Sequence, residues 1–108
     1  MSSITNVMIT GLFTPQEAEA ILKHLDAKDL CFTEIDGYKV GGTKCLEANI
    51  FIGAFNYLDR ELLVESVKGI EPLVDDYQYE DMQVMIKGQD EDMWHTHVVN
   101  EFDVDCFW

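Results

Sequence analysis

The sequence predicts an α+β protein with elements in the order β-α-β-β-α-β, followed by an extra C-terminal strand. Two segments carry apolar residues at helical spacing, and several short segments are β-branched or alternate between apolar and polar residues. This order is typical of the ferredoxin-like split βαβ arrangement, in which two helices cover one face of an antiparallel sheet. The length of 108 residues fits a single domain spanning residues 1–108.

The first strand and the first helix have the clearest local signals. Residues 4–10 are mostly β-branched and predict a strand, which Gly11 ends. Thr14-Pro15-Gln16-Glu17 is a capping box with proline at the first helical position, so a helix is expected to begin there. The apolar stripe that follows predicts that this helix continues to about Ala27.

Two strands are predicted between the helices. Residues 31–35 favour one strand, and residues 38–44 are expected to form a loop or a loose strand end. Residues 46–52 alternate and predict the next strand, with its apolar side towards the helices. The residues expected to face the helices are Leu46, Ala48, Ile50 and Ile52. Those expected on the other face are Glu47, Asn49 and Phe51.

The second half of the chain predicts a helix and two strands. Asp59 is a candidate helix cap, and Pro72 is expected to stop the helix. Its apolar stripe is Leu63, Val67 and Ile70. Residues 82–87 predict a strand with Met82, Val84 and Ile86 inward and Gln83 and Met85 outward. Residues 93–99 are expected to return as a hairpin strand, and residues 101–108 form a tail that mixes acids and aromatics.

The predicted sheet has one face without helices. That face would combine Phe51 and Met85 with the hydrogen-bonding side chains of Glu47, Asn49 and Gln83. Such a mixture is seldom simply solvated, so we expect it to pack against another subunit. Glu47 would then lie in or beside the subunit interface.

The charge is strongly acidic and uneven. There are 21 acids and 7 bases, which give a net charge of -14. Residues 59–108 hold fourteen acids and three bases, and so contribute -11 of this total. This charge argues against direct binding to nucleic acid or to an anionic membrane. No secretory or transit signal is visible in residues 1–5, so we expect a cytoplasmic protein.

The cysteines and histidines give little sign of a metal or redox site. Cys31, Cys45 and Cys106 are widely spaced and are expected to be free thiols. His95 and His97 share one face of the predicted strand, but no further ligand lies at motif spacing. No metal and no cofactor are expected.

Two short stretches carry a family resemblance. Phe32–Gly42, with a Gly37-Tyr38 turn, and Glu47–Ile52, with a glutamate opening an alternating strand, resemble phage-encoded S-adenosylmethionine lyases, formerly called S-adenosylmethionine hydrolases. The resemblance implies a PII-like, ferredoxin-type fold and a homotrimer with the ligand at subunit boundaries. It also implies that Tyr38 and Glu47 are catalytic and that a glutamine near the last core strand binds substrate. Gln78 and Gln83 both compete for that position.

The implied chemistry needs positioning more than acid–base catalysis. The substrate's own carboxylate attacks its γ-carbon, and methylthioadenosine leaves with formation of homoserine lactone. A tight pocket favours such an intramolecular reaction. Glu47 suits a cationic group, Tyr38 or Phe51 suits a sulfonium or an adenine ring, and Asn49 supplies hydrogen bonds. For a phage in its host's cytoplasm, the benefit would be to deprive host restriction and methylation systems of their cofactor.

The sequence is also compatible with two other functions. The acidic half of the chain could imitate DNA and inhibit a basic host target, such as a nuclease or a CRISPR defence complex, without catalysis. A PII-like regulator that binds a nucleotide at a subunit cleft without turnover is the third hypothesis.

Overall fold

The computed structural model describes residues 3–107, so the expectations for residues 1, 2 and Trp108 lie outside the described chain. It is an α+β structure in which helices pack on a five-stranded antiparallel sheet. The strands are β1 (Ile4–Gly11), β2 (Thr33–Glu34), β3 (Asn49–Asn56), β4 (Gln83–Gly88) and β5 (His95–Val98). The α-helices are α1 (Pro15–Asp26), α2 (Arg60–Lys68) and α3 (Asp76–Glu80). Short 3₁₀ turns cover Glu71–Leu73, Val99–Glu101 and Val104–Cys106.

The strands lie in the order β2-β3-β1-β4-β5, and every neighbouring pair is antiparallel. The predicted extra C-terminal strand is confirmed, because β5 pairs with β4 and places His97 opposite Val84. The order differs from that of a simple four-stranded split βαβ unit, since β5 extends the sheet beyond β4. The helix α3 was not predicted, because its five residues are too few to show an apolar period.

Both predicted helix starts are confirmed. The Thr14 side chain accepts from the Glu17 backbone at 3.2 Å, and the Glu17 carboxylate accepts from the Thr14 backbone at 2.8 Å. Asp59 caps α2 by accepting from the Leu62 backbone at 3.2 Å. The end of α2 lies earlier than predicted, with Gly69 as its C-cap, and Pro72 belongs to the 3₁₀ turn that follows.

One hydrophobic cluster lies between the sheet and the helices. Its fully buried members from the strands are Val7, Ile9, Phe51, Val84 and Ile86. Those from α1 and α2 are Ile21, Leu25, Leu63 and Val67. Within residues 3–107, no helix is long and apolar enough to cross a lipid bilayer.

The predicted orientation of β3 is wrong. Phe51 lies opposite Ile9, is completely buried and stacks on Phe13 with 6.1 Å between the ring centroids. Ile52 faces away from the helices and is 38% exposed. The alternation was ambiguous because residues 50–54 are apolar on both faces, and a shift of one residue inverts every side chain.

The segment between β2 and β3 is mostly loop. The strand predicted for residues 31–35 is shorter in the structure and covers only Thr33–Glu34. The strand predicted for residues 46–52 begins only at Asn49. The Leu46 backbone N–H donates to the Gly37 carbonyl at 2.8 Å, which closes the base of an exposed loop over residues 37–46.

Candidate functional site

The sheet face that no helix covers carries few charges. From β1 it displays Asn6, Met8 and Thr10, and the pairing register places Gln83, Met85 and Lys87 of β4 on the same side. The outward orientation predicted for Gln83 and Met85 is therefore confirmed. Among the strand positions that the structure describes on this face, none is acidic, although the protein carries a net charge of -14.

Two depressions are lined in part by residues of this open face. The first, here called the Trp94 cavity, has a volume of about 570 Å³. Its lining is Asn6, Val7, Met8, Thr33, Ile35, Ile52, Gly53, Ala54 and Trp94. The second, here called the Glu47 depression, has a volume of about 290 Å³. Its lining is Thr10, Gly11, Leu12, Glu47, Ala48, Asp81 and Gln83.

The Glu47 depression brings together two of the predicted site residues. Glu47 precedes β3 and Gln83 begins β4, and β1 lies between those strands and contributes Thr10. Asp81 adds a second carboxylate that was not predicted. Two carboxylates with no basic side chain in the described lining favour a cation, and the Gln83 amide adds a donor and an acceptor.

Tyr38 does not line either depression. Its side chain is 86% exposed, and its backbone N–H donates to the Asp36 carboxylate at 3.0 Å. The Gly37–Leu46 hydrogen bond nevertheless brings the chain beside Tyr38 back to the chain beside Glu47. Tyr38 therefore lies near one end of this loop, and Glu47 directly follows its other end and lines the depression.

The Asn49 side chain links three backbone segments at the start of β3. Its side-chain amide donates to the Glu34 carboxylate at 2.7 Å, and its carbonyl oxygen accepts from the Phe13 backbone at 2.7 Å. These bonds join β2, β3 and the turn after β1. Because Asn49 and the buried Phe51 both lie on the helix side of the sheet, neither lines the open-face depressions.

Gln78 is also held in a structural network. Its side-chain carbonyl accepts from the Asp75 backbone at 2.9 Å and so forms part of the capping box of α3. Its amide donates to the Glu17 carboxylate at 2.9 Å and to the Leu12 carbonyl at 3.2 Å. Of the two competing glutamines, only Gln83 lines the depression.

His95, the first residue of β5, contacts the side chain of Glu91. His95 Nε2 lies 2.7 Å from Glu91 Oε2, and the Gly88 backbone N–H, with help from His95, holds the pKa of Glu91 below its ordinary value. Within residues 3–107, no three side chains of the His, Cys, Asp and Glu types are grouped so that they could hold a metal ion.

Two features of the open face were missed from the sequence. Asp81 immediately precedes the strand predicted for residues 82–87 and so lies outside its alternating pattern of apolar and polar residues. Trp94 lay within the predicted fifth strand, and its alternation with His95 was the signal that could have placed it on the open face. Comparison of the chain with protein-family models, with curated proteins and with solved structures found no match.

Proposed function

We propose that this protein cleaves S-adenosylmethionine to methylthioadenosine and homoserine lactone, at a site between subunits of a homotrimer. The observation that carries the proposal is the Glu47 depression, in which Glu47, Asp81 and Gln83 meet beside Thr10. The family resemblance of residues 32–42 and 47–52 suggests the reaction. The depression supplies groups that suit the amino-acid end of this substrate.

The charges of the substrate determine which groups should hold it. The sulfonium loses its charge as the carbon–sulfur bond breaks, so a carboxylate beside the sulfur would stabilise the substrate more than the transition state. The ammonium keeps its charge throughout. We therefore assign Glu47 and Asp81 to the ammonium, which they bind through charge-assisted hydrogen bonds.

The reaction itself balances without an external acid or base. A carboxylate oxygen of the substrate forms a bond to its γ-carbon, and the carbon–sulfur electron pair moves to the sulfur, which leaves as the thioether of methylthioadenosine. Gln83 donates from its amide to the second carboxylate oxygen and so orients the first for attack. The contribution of the protein is to hold this folded conformation.

A neighbouring subunit would complete the site. The depression is shallow and open, and the sheet face around it is free of acids at its described strand positions. A second copy can approach such a face without strong repulsion, whereas the acidic remainder repels it. The β2-β3-β1-β4 part of the sheet also supports a ferredoxin-like, PII-like arrangement. Tyr38, exposed at the loop base, is then available to contact the substrate at the boundary.

The direct test is to incubate the purified protein with S-adenosylmethionine and separate the products by chromatography. Methylthioadenosine and homoserine lactone should accumulate in equal amounts, and light scattering should give the mass of a trimer. A monomer that leaves S-adenosylmethionine no less stable than buffer alone would refute the proposal.

A non-catalytic acidic decoy is a second candidate, and the exposure of the acidic half favours it. Every acid from Asp59 to Asp105 is exposed except Glu91. Glu71, Asp76 and Glu80 line one small depression together. Burial, with a smaller contribution from the Glu71 carboxylate, raises the pKa of the Tyr79 phenol beside them.

The decoy and the enzyme can be separated by charge reversal. Changing Glu71, Asp76 and Glu80 to lysine should abolish competition with DNA for a basic nuclease, a competition that should also fall steeply with salt. The same triple variant should leave cleavage of S-adenosylmethionine intact if the enzyme proposal is correct.

A further inference from the structure

The Trp94 cavity has the features of a site for a flat aromatic group. Its lining comes from β1, β2 and β3, from Ile35 directly after β2, and from Trp94, which immediately precedes β5. Since β4 lies between β1 and β5, the indole reaches over β4 to border the cavity. The side chain of Trp94 is still 42% exposed, so one part of it is accessible to a ligand.

The chemistry of the cavity is mainly apolar with a few polar groups. Met8, Ile35, Ile52 and Ala54 provide the apolar surface. The Thr33 hydroxyl and the Asn6 carboxamide are the polar side chains, and the amide of Asn6 is held by a 3.2 Å hydrogen bond to the Lys87 carbonyl. An apolar pocket with a few fixed polar groups is the usual composition of a small-molecule site.

The Trp94 cavity and the Glu47 depression are separate, but β1 contributes residues to both. Met8 lines the first and Thr10 lines the second, and both point to the open face. Residues two apart on one face of a strand are about 7 Å apart, so the two depressions are adjacent. We refer to the two neighbouring depressions together as the groove, with an aromatic end at Trp94 and an acidic end at Glu47 and Asp81.

We propose that this groove binds an organic cation lengthwise, with its planar aromatic body in the Trp94 cavity and its ammonium end in the Glu47 depression. Charge complementarity sets the direction, because carboxylates line only the Glu47 end of the groove. Stacking on tryptophan and apolar burial retain the aromatic end. The identity of the ligand rests on the proposed function, in which the aromatic body is adenine.

Trp94 fluorescence in the Trp108→Phe background tests the groove without requiring turnover. The probes are sinefungin, a cationic analogue in which an amine-bearing carbon replaces the sulfonium and which therefore has no carbon–sulfur bond to cleave, and adenosine, which lacks the ammonium end. Sinefungin should change the emission of Trp94 and bind at least about tenfold more tightly than adenosine.

Two variants test the Trp94 cavity itself. Ala54→Leu, which adds bulk to the cavity lining, should lower the affinity for sinefungin about tenfold or more. Thr96→Leu, on the same face outside the cavity, should change that affinity less than about twofold.

The outcomes separate this inference from the proposed function. A fluorescence response to sinefungin without any methylthioadenosine from S-adenosylmethionine supports the groove and refutes the activity. If wild type cleaves S-adenosylmethionine but Ala54→Leu binds sinefungin as tightly as wild type, the groove proposal is overturned and the proposed activity stands. If circular dichroism shows that Ala54→Leu does not fold, Trp94→Ala is used in its place, and its affinity for sinefungin is measured by calorimetry. Undiminished affinity of Trp94→Ala for sinefungin overturns the inference. Failure of wild type to bind either probe overturns it as well.

Discussion

Glu47 and Gln83 line the same depression although they belong to different parts of the chain. Their proximity follows from the pairing of β1, in which Thr10 lies opposite Ile50 of β3 on one side and opposite Gln83 of β4 on the other. The acidic depression is therefore built at the end of the central strand, where three backbone segments meet. Of the residues that line it, Thr10 and Gln83 belong to paired strands, whereas Glu47 and Asp81 lie just before β3 and β4.

Substitutions in β3 test its orientation. Phe51→Ala should lower the free energy of unfolding by about 3–5 kcal/mol, because it removes a completely buried ring that stacks on Phe13. Ile52→Ala, on the partly exposed face, should cost about 1 kcal/mol or less. Urea denaturation of both variants is the measurement, and equal losses would contradict the orientation of the strand.

Asn49 should matter for stability. Asn49→Ala should destabilise the protein by about 2–3 kcal/mol, because it leaves the Phe13 N–H without its acceptor and removes the donor to Glu34. Asn100→Ala, at an exposed amide, is the matched control and should change stability by less than about 0.5 kcal/mol. Thermal unfolding measures both. A stable Asn49→Ala protein that has lost only ligand affinity would favour the role in substrate binding that the sequence predicted.

Acid should remove the stabilisation that Glu91 provides. The Gly88 backbone N–H, with help from His95, lowers the pKa of Glu91 in the folded state. A lowered folded pKa gives stability that is present above the unfolded pKa and is lost as the pH falls through the folded one. The difference in unfolding free energy between wild type and Glu91→Gln should therefore shrink in acid, below the ordinary glutamate pKa. Denaturant titrations near neutral pH and well below the ordinary glutamate pKa measure it, and a constant difference would contradict the assignment.

The sequence predicted the parts of the fold that depend on local chemistry. The capping box at Thr14 and the cap at Asp59 were correct, because each is completed within four residues. The alternation of β4 was also correct, since its outward residues Gln83 and Lys87 are polar. In β3 the apolar residues occupy both faces, and only pairing of Phe51 with Ile9 across the sheet decides which side is buried.

The candidate site was harder to predict for the same physical reason. Asn49 and Gln78 have hydrogen-bonding groups that suit a ligand, but the fold uses them for long-range contacts with Phe13 and Glu17, which one segment of sequence does not reveal. Trp94 reaches its cavity across a neighbouring strand. Glu47 and Gln83 were predicted, and their meeting depended on the strand order.

The most direct measurement of the central claim is the rate of methylthioadenosine formation from S-adenosylmethionine by wild type, Glu47→Gln and Glu65→Gln. Glu65 is an exposed acid on α2, away from the depression, and serves as the matched control for loss of one negative charge. If Glu47 holds the substrate ammonium in the reactive conformation, Glu47→Gln should lower kcat/KM about 100-fold or more, with Glu65→Gln unchanged. Equal activity of all three proteins, or no methylthioadenosine from wild type, would contradict the account.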